Sequence, residues 1–138
     1  MLHLIIDGYT AYRLRLQDVA LIENLVLRTI NFLGMHLAMG PYTQAFGPPG
    51  AGVTSSAVIT TTAILMESHI IIHTFPEAGR IFLDIATCQD PKTVDIGGVV
   101  LLWQEGLGLM PMVFKKILRG VELDMLVAQQ DALRFGMN

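Results

Sequence analysis

The residues that carry chemistry in this 138-residue chain stand close together: Glu67-Ser68-His69, then Ile72-His73-Thr74, Pro76-Glu77 and Cys88. Ser68 follows a glutamyl carbonyl directly. Its hydroxyl can attack that carbonyl and turn the peptide into an ester. Loss of the Ser68 α-proton then expels the Glu67 carboxylate and leaves a dehydroalanine. Tautomerisation and hydrolysis give ammonia and a pyruvoyl group at the new N-terminus. A fold that drives this must strain the bond, donate to the oxyanion and supply a base. His73 is the candidate base, because an imidazole titrates near neutrality. His69 and His73, four residues apart, lack a third ligand and a His-Glu-x-x-His frame, so no metal site is expected.

These residues need elements to hold them. Ala57–Met66, Ser68–Thr74 and Arg80–Thr87 are rich in Val, Ile and Thr, as strands are. They predict an antiparallel meander, with a turn at Pro76–Gly79. Leu2–Asp7 reads as an opening strand, Met35–Met39 as another and Met112–Leu118 as the last. Leu21, Ile22, Leu25, Val26, Ile30 and Leu33 recur at helical spacing, with Asp18 and Gly34 as caps. A second helix is expected from Asp90-Pro91 to about Glu105, and an amphipathic one over Glu122–Phe135. Pro41–Gly52 reads as a loop, Gly-Pro-Pro-Gly being unsuited to helix or central strand. Together these predict an α+β domain: an antiparallel sheet with helices packed on one face. The other face then needs cover, which a second copy of the chain can supply in a sandwich-like dimer.

Ser68 and His73 have opposite parity on a regular strand. An irregularity between Glu67 and Ile72, either a bend at Ser68 or a bulge, is therefore expected if both serve one site.

Composition narrows the field. Hydrophobic residues make up 52% and charged residues 15% of the sequence, so the chain buries much of itself or hides a face on a partner. A net charge of −3 argues against nucleic-acid binding, which needs a basic face. The single cysteine, Cys88, excludes an internal disulfide and fits a reducing, cytoplasmic setting. The N-terminal residues lack the pattern of a secretory leader. Thr29–Met66 contains no Asp, Glu, Lys or Arg, but glycines and prolines interrupt it. The remaining Ala51–Met66 is too short to span a bilayer.

The motif resembles the S-adenosylmethionine decarboxylase proenzyme family in its small prokaryotic form. The likeness rests on Glu67-Ser68-His69, Ile72-His73-Thr74, Pro76-Glu77 and Asp84…Cys88. It extends to His3–Asp7, to Leu16-Gln17-Asp18-Val19 leading into Ile22-Glu23, and to Lys115–Gly120. It covers one domain, 1–120, and leaves 121–138 as an extension. The resemblance implies a proenzyme that cuts itself before Ser68 into a β chain, 1–67, and a pyruvoyl-bearing α chain, 68–138. It puts the processing histidine at His73, an assisting hydroxyl at Thr60, the proton-donor cysteine at Cys88 and a ribose-binding glutamate at Glu77. Thr60 departs from the family's serine but keeps the hydroxyl.

The implied activity is decarboxylation of S-adenosylmethionine, through a Schiff base on the pyruvoyl group, for polyamine (spermidine) synthesis. An aromatic residue should stack on the adenine, with Phe46 first, Tyr42 second and Phe75 third. The stretch Gly47–Ser56 is longer than the family's usual connection. Two alternatives stand beside this reading. One is a pyruvoyl-dependent decarboxylase of ornithine or arginine on the same fold. The other is an unprocessed, non-catalytic homologue. The uncharged run 29–66 offers no carboxylate for a basic amino acid, which favours the nucleoside.

Overall fold

A computed structural model describes residues 1–47 and 57–136. Its strands are β1 (Leu2–Tyr9), β2 (Leu37–Phe46), β3 (Val58–Leu65), β4 (Ser68–Phe75), β5 (Arg80–Thr87) and β6 (Met112–Leu118). The helices are α1 (Val19–Phe32), α2 (Ile96–Leu107) and α3 (Val121–Phe135), with a short 3-10 helix at Arg13–Gln17. The strands form one antiparallel sheet in the order β2-β3-β4-β5-β1-β6. The expected meander is therefore its centre, and the α+β class is as the sequence predicts.

Alternation gives the sheet two unlike faces. Ile59, Thr61 and Ala63 of β3, Ile70, Ile72 and Thr74 of β4, Ile81, Leu83 and Ile85 of β5, and Leu2, Leu4 and Ile6 of β1 are buried. Of these, Leu4, Ile6, Ala63, Ile70, Ile72, Ile81, Leu83 and Ile85 meet Ile22, Leu25, Val26 and Ile30 of α1 and Val99, Trp103 and Leu107 of α2 in one core. The Trp103 indole N–H donates to Thr29 Oγ1 at 2.9 Å, and that hydroxyl donates to the Leu25 carbonyl at 2.8 Å. The deepest polar groups of the helix layer are thus satisfied. The opposite face carries Thr60, His73, Phe82 and Asp7 in one cross-strand row, and Thr62, Ile71, Asp84 and Ile5 in the next. Among the described residues, no element packs across that face.

Three expectations need correction. Strand β2 runs through Pro41 to Phe46, where a loop was expected. Proline is accommodated because β2 is an edge strand, and the ladder shifts register on both sides of Met39. Gly40 has φ +96, and a Cβ there would lie 2.8 Å from the Thr62 carbonyl, so only glycine fits. Secondly, α2 starts at Ile96, not beside Pro91. Asp90 accepts from Lys92 N and Thr93 N in a local turn, and Asp95 is the N-cap, accepting from Gly98 N at 2.9 Å. Thirdly, α3 forms where expected but buries no residue, so only α1 and α2 make the helix layer. The Gly-Pro-Pro-Gly turn and the long connection up to Ser56 lie outside the described residues, apart from Gly47.

Candidate active site

The Glu67–Ser68 linkage sits where β3 turns into β4. Leu65 and Ser68 are cross-strand partners, so Met66-Glu67 is a two-residue hairpin turn. The Glu67 carbonyl accepts a hydrogen bond from Cys88 N at 3.2 Å. Cys88 itself is exposed but stands between anchored neighbours. Thr87 is buried, and Gln89 donates from Nε2 to the Leu33 carbonyl at 2.6 Å. The backbone donor facing the Glu67 carbonyl is therefore fixed by β5 and by the end of α1.

The Glu67 side chain is held as firmly. His36 N donates to its Oε2 at 3.1 Å, and His36 Nδ1 lies 2.5 Å from its Oε1. These bonds, ring first and backbone second, lower the Glu67 pKa below the ordinary carboxylate value against the opposing effect of burial. Sequence reasoning passed over His36. Only the structure brings the start of β2 against the β3–β4 turn, 31 residues on.

The irregularity expected between Glu67 and Ile72 is absent: the turn ends at Glu67, and Ser68 is already the first residue of a regular β4. The ladders from Ser68 to Phe75 run in regular register on both sides, with no bulge. Ser68 and His73 therefore remain five residues apart along one strand, about 17 Å at ordinary strand rise. The imidazole beside Ser68 is His69, whose Nδ1 is 3.4 Å from Ser68 Oγ. His73 pairs instead with Thr60, Oγ1 to Nδ1 at 2.9 Å, on the uncovered face.

The candidate residues thus fall into two groups. Glu67, Ser68, Cys88 and His36 gather at one end of the sheet. Thr60, His73, Glu77 and Phe46 belong towards the other. Phe46 is exposed opposite Val58, at the far end of β3. Glu77 is exposed in the β4–β5 turn, and its carbonyl accepts from Arg13 Nη1 at 2.8 Å. Tyr42 lies exposed on β2 opposite Thr62. Phe75 stacks edge-on against Phe82, centroids 5.6 Å apart. Phe82 went unnoticed in the sequence; its place in the row with His73 and Asp7 was visible only once strand order was known. A cavity of about 320 Å³ opens at this end, lined by residues that include Asp7, Tyr9, Arg80, Phe82 and Pro111. Among the described residues no group of three His, Cys, Asp or Glu side chains is arranged to hold a metal ion. No described helix is long and apolar enough to cross a membrane.

Comparison with known proteins bears on this arrangement. The sequence signature described as S-adenosylmethionine decarboxylase matches residues 2–120. A protein of Parasynechococcus marenigrum named S-adenosylmethionine decarboxylase proenzyme is 34% identical over 88 residues, which is 64% of this chain and 62% of that protein. A Prochlorococcus marinus protein of the same name is 32% identical over 103 residues, 75% of this chain and 74% of that one. The match thus spans less than two thirds of the length of some of these relatives. The crystal structure of the adenosylmethionine decarboxylase from Aquifex aeolicus superposes with a TM-score of 0.67, covering 87% of this chain and 90% of that one at 22% identity. At that identity the superposition establishes the fold, and the family rests on the sequence match over residues 2–120: the chain belongs to the S-adenosylmethionine decarboxylase family.

Proposed function

We propose that this chain is a self-cleaving proenzyme whose mature form decarboxylates S-adenosylmethionine. One observation carries the reading. The carbonyl before Ser68 sits in a tight hairpin turn and accepts a fixed backbone N–H from Cys88. That donor is placed to stabilise the oxyanion formed when Ser68 Oγ adds to the carbonyl carbon. The C–N bond then breaks as the ester C–O bond forms. Removal of the Ser68 α-proton expels Glu67 as a free carboxylate, and water releases the nitrogen as ammonia.

The resulting pyruvoyl group supplies an electrophilic carbonyl for the substrate amine and an electron sink for the carbon that loses CO2. The remaining work falls to side chains. Cys88 returns a proton to that carbon. The Glu77 carboxylate accepts from the ribose hydroxyls, and Phe46 stacks on the adenine. Thr60 orients the His73 ring through Nδ1, leaving Nε2 to act.

The separation of these groups along the sheet supports a homodimer. A two-fold axis between two uncovered faces, perpendicular to the strands, lays β4 over β4 with opposite direction. The Ser68 end of one protomer then meets the His73 end of the other. Exposed Ile64, Phe82, Val113 and Ile117 give that face the apolar content that such packing buries.

Electrophoresis and mass spectrometry of freshly folded protein test the proposal. Two fragments, 1–67 and 68–138, are expected, the second with a keto-acyl terminus, together with CO2 release from S-adenosylmethionine. Ser68→Ala stays whole and inactive. An intact chain that turns over substrate would refute the proposal, as would release from ornithine or arginine alone.

A further inference from the structure

We infer that His36 is a clamp for Glu67: it aligns the carbonyl that Ser68 attacks, and after the cut it retains the newly made C-terminus. The inference rests on the self-cleavage proposed above and goes beyond it to a residue outside the family motif.

Three contacts join Met66-Glu67 to the residue that precedes β2. The Met66 N–H donates to the His36 carbonyl at 2.9 Å. The His36 N–H donates to Glu67 Oε2 at 3.1 Å, and His36 Nδ1 meets Oε1 at 2.5 Å. An ionised carboxylate only accepts, so the ring nitrogen is the donor. The ring bond is charge-assisted and belongs to the stronger class. With Cys88 N–H on the Glu67 carbonyl from the other side, the residue before the scissile bond is held at both its side chain and its main chain.

Each phase of the reaction uses this clamp. Before cleavage, a carbonyl on a two-residue turn must stay aimed at Ser68 Oγ, and small misplacements cost rate steeply. Cleavage then makes Glu67 a chain end with two carboxylates. Chain ends fray unless tied down, and a frayed Met66-Glu67 would lie against the freshly made active group. His36 sits on the same 1–67 fragment as Glu67, so the clamp can outlast the cut and keep that end ordered.

The His36 side chain is 70% exposed, so replacing it leaves the core intact. His36→Ala and His36→Phe both remove the ring donor, while the second keeps a ring. Cleavage half-times are read by electrophoresis after dilution from denaturant. Both variants should cleave about tenfold more slowly than wild type, the scale of one charge-assisted hydrogen bond. His36→Gln, which keeps a donor, should stay within about threefold. Carboxypeptidase added to the mature protein should trim Glu67 and Met66 from the Ala and Phe variants and spare wild type. A purely structural role for His36 would not produce rescue by Gln. Wild type and His36→Ala cleaving at one rate, with equal resistance to carboxypeptidase, overturns the clamp and leaves self-cleavage standing. A wild-type chain that stays whole overturns both.

Discussion

At Cys88 the proposed mechanism gives two atoms of one residue different steps. Its backbone N–H faces the Glu67 carbonyl, whereas its thiol is the proposed proton donor in turnover. Cys88→Ala keeps the first and loses the second. It should yield both fragments at the wild-type rate while turnover falls about 10²- to 10⁴-fold, the usual worth of a positioned proton donor. A Cys88→Ala enzyme with full CO2 release would remove the thiol from the mechanism. At Glu67 the sign of the pH effect follows from its environment. His36 lowers its pKa in the folded chain, so its stabilising contribution is complete above the unfolded value and disappears as pH falls through the folded one. Compared with Ser68→Ala, the double variant Ser68→Ala/Glu67→Gln should melt at a lower temperature near neutrality, and the gap should close below about pH 4. A gap that persists unchanged into acid would mean that the carboxylate charge is irrelevant to the turn.

Elements decide which of these side chains can meet. Gly106 on α2 illustrates how closely the helix layer is fitted: a Cβ there would lie 2.5 Å from Leu25 Cδ2, and Leu25 is fully buried. Alanine would raise helix propensity by about 1 kcal/mol, but forcing a methyl against an immobile core leucine costs about 1–3 kcal/mol. Gly106→Ala should therefore lower stability in urea melts; a stabilised variant would show that α1 and α2 can slide apart. Much of this level was legible in the sequence. The Val, Ile and Thr runs of β3, β4 and β5, and the Asp18-capped apolar periodicity of α1, depend on local patterns. What was not legible depends on the sheet as a whole. Pro41 looks like a loop residue until β2 is known to be an edge. Asp90-Pro91 looks like the start of the second helix, and that Asp95 caps it instead is known only from where the chain goes next. For the site, the motif marked Glu67, Ser68, His73 and Cys88. Parity warned that Ser68 and His73 diverge, but His36 and Phe82 join the picture through pairings that no local spacing encodes.

For the whole molecule, the decisive fact is that a regular β4 keeps Ser68 and His73 apart. If cleavage needs both, His73 of the partner subunit must supply the imidazole, and the chemistry becomes a property of the dimer. Two chains that are each unable to cleave should then complement. Ser68→Ala retains His73 but has no nucleophile, and His73→Ala retains Ser68 but lacks the His73 imidazole. Folded together, they should produce fragments from the His73→Ala chain alone, in about the half-population of mixed dimers that random pairing gives for equal amounts. A charge placed near the two-fold axis gives an independent check. Ile71 lies midway along β4 on the uncovered face, so Ile71→Arg would bring two like charges together across a self-complementary interface. Light scattering should show a monomer, and electrophoresis an uncut chain. If His73→Ala cleaves unaided, His69, 3.4 Å from the Ser68 hydroxyl, is the base, and the reaction is complete within one protomer. If Ile71→Arg is monomeric and still cut, the dimer serves the mature enzyme's substrate site and not the making of its active group.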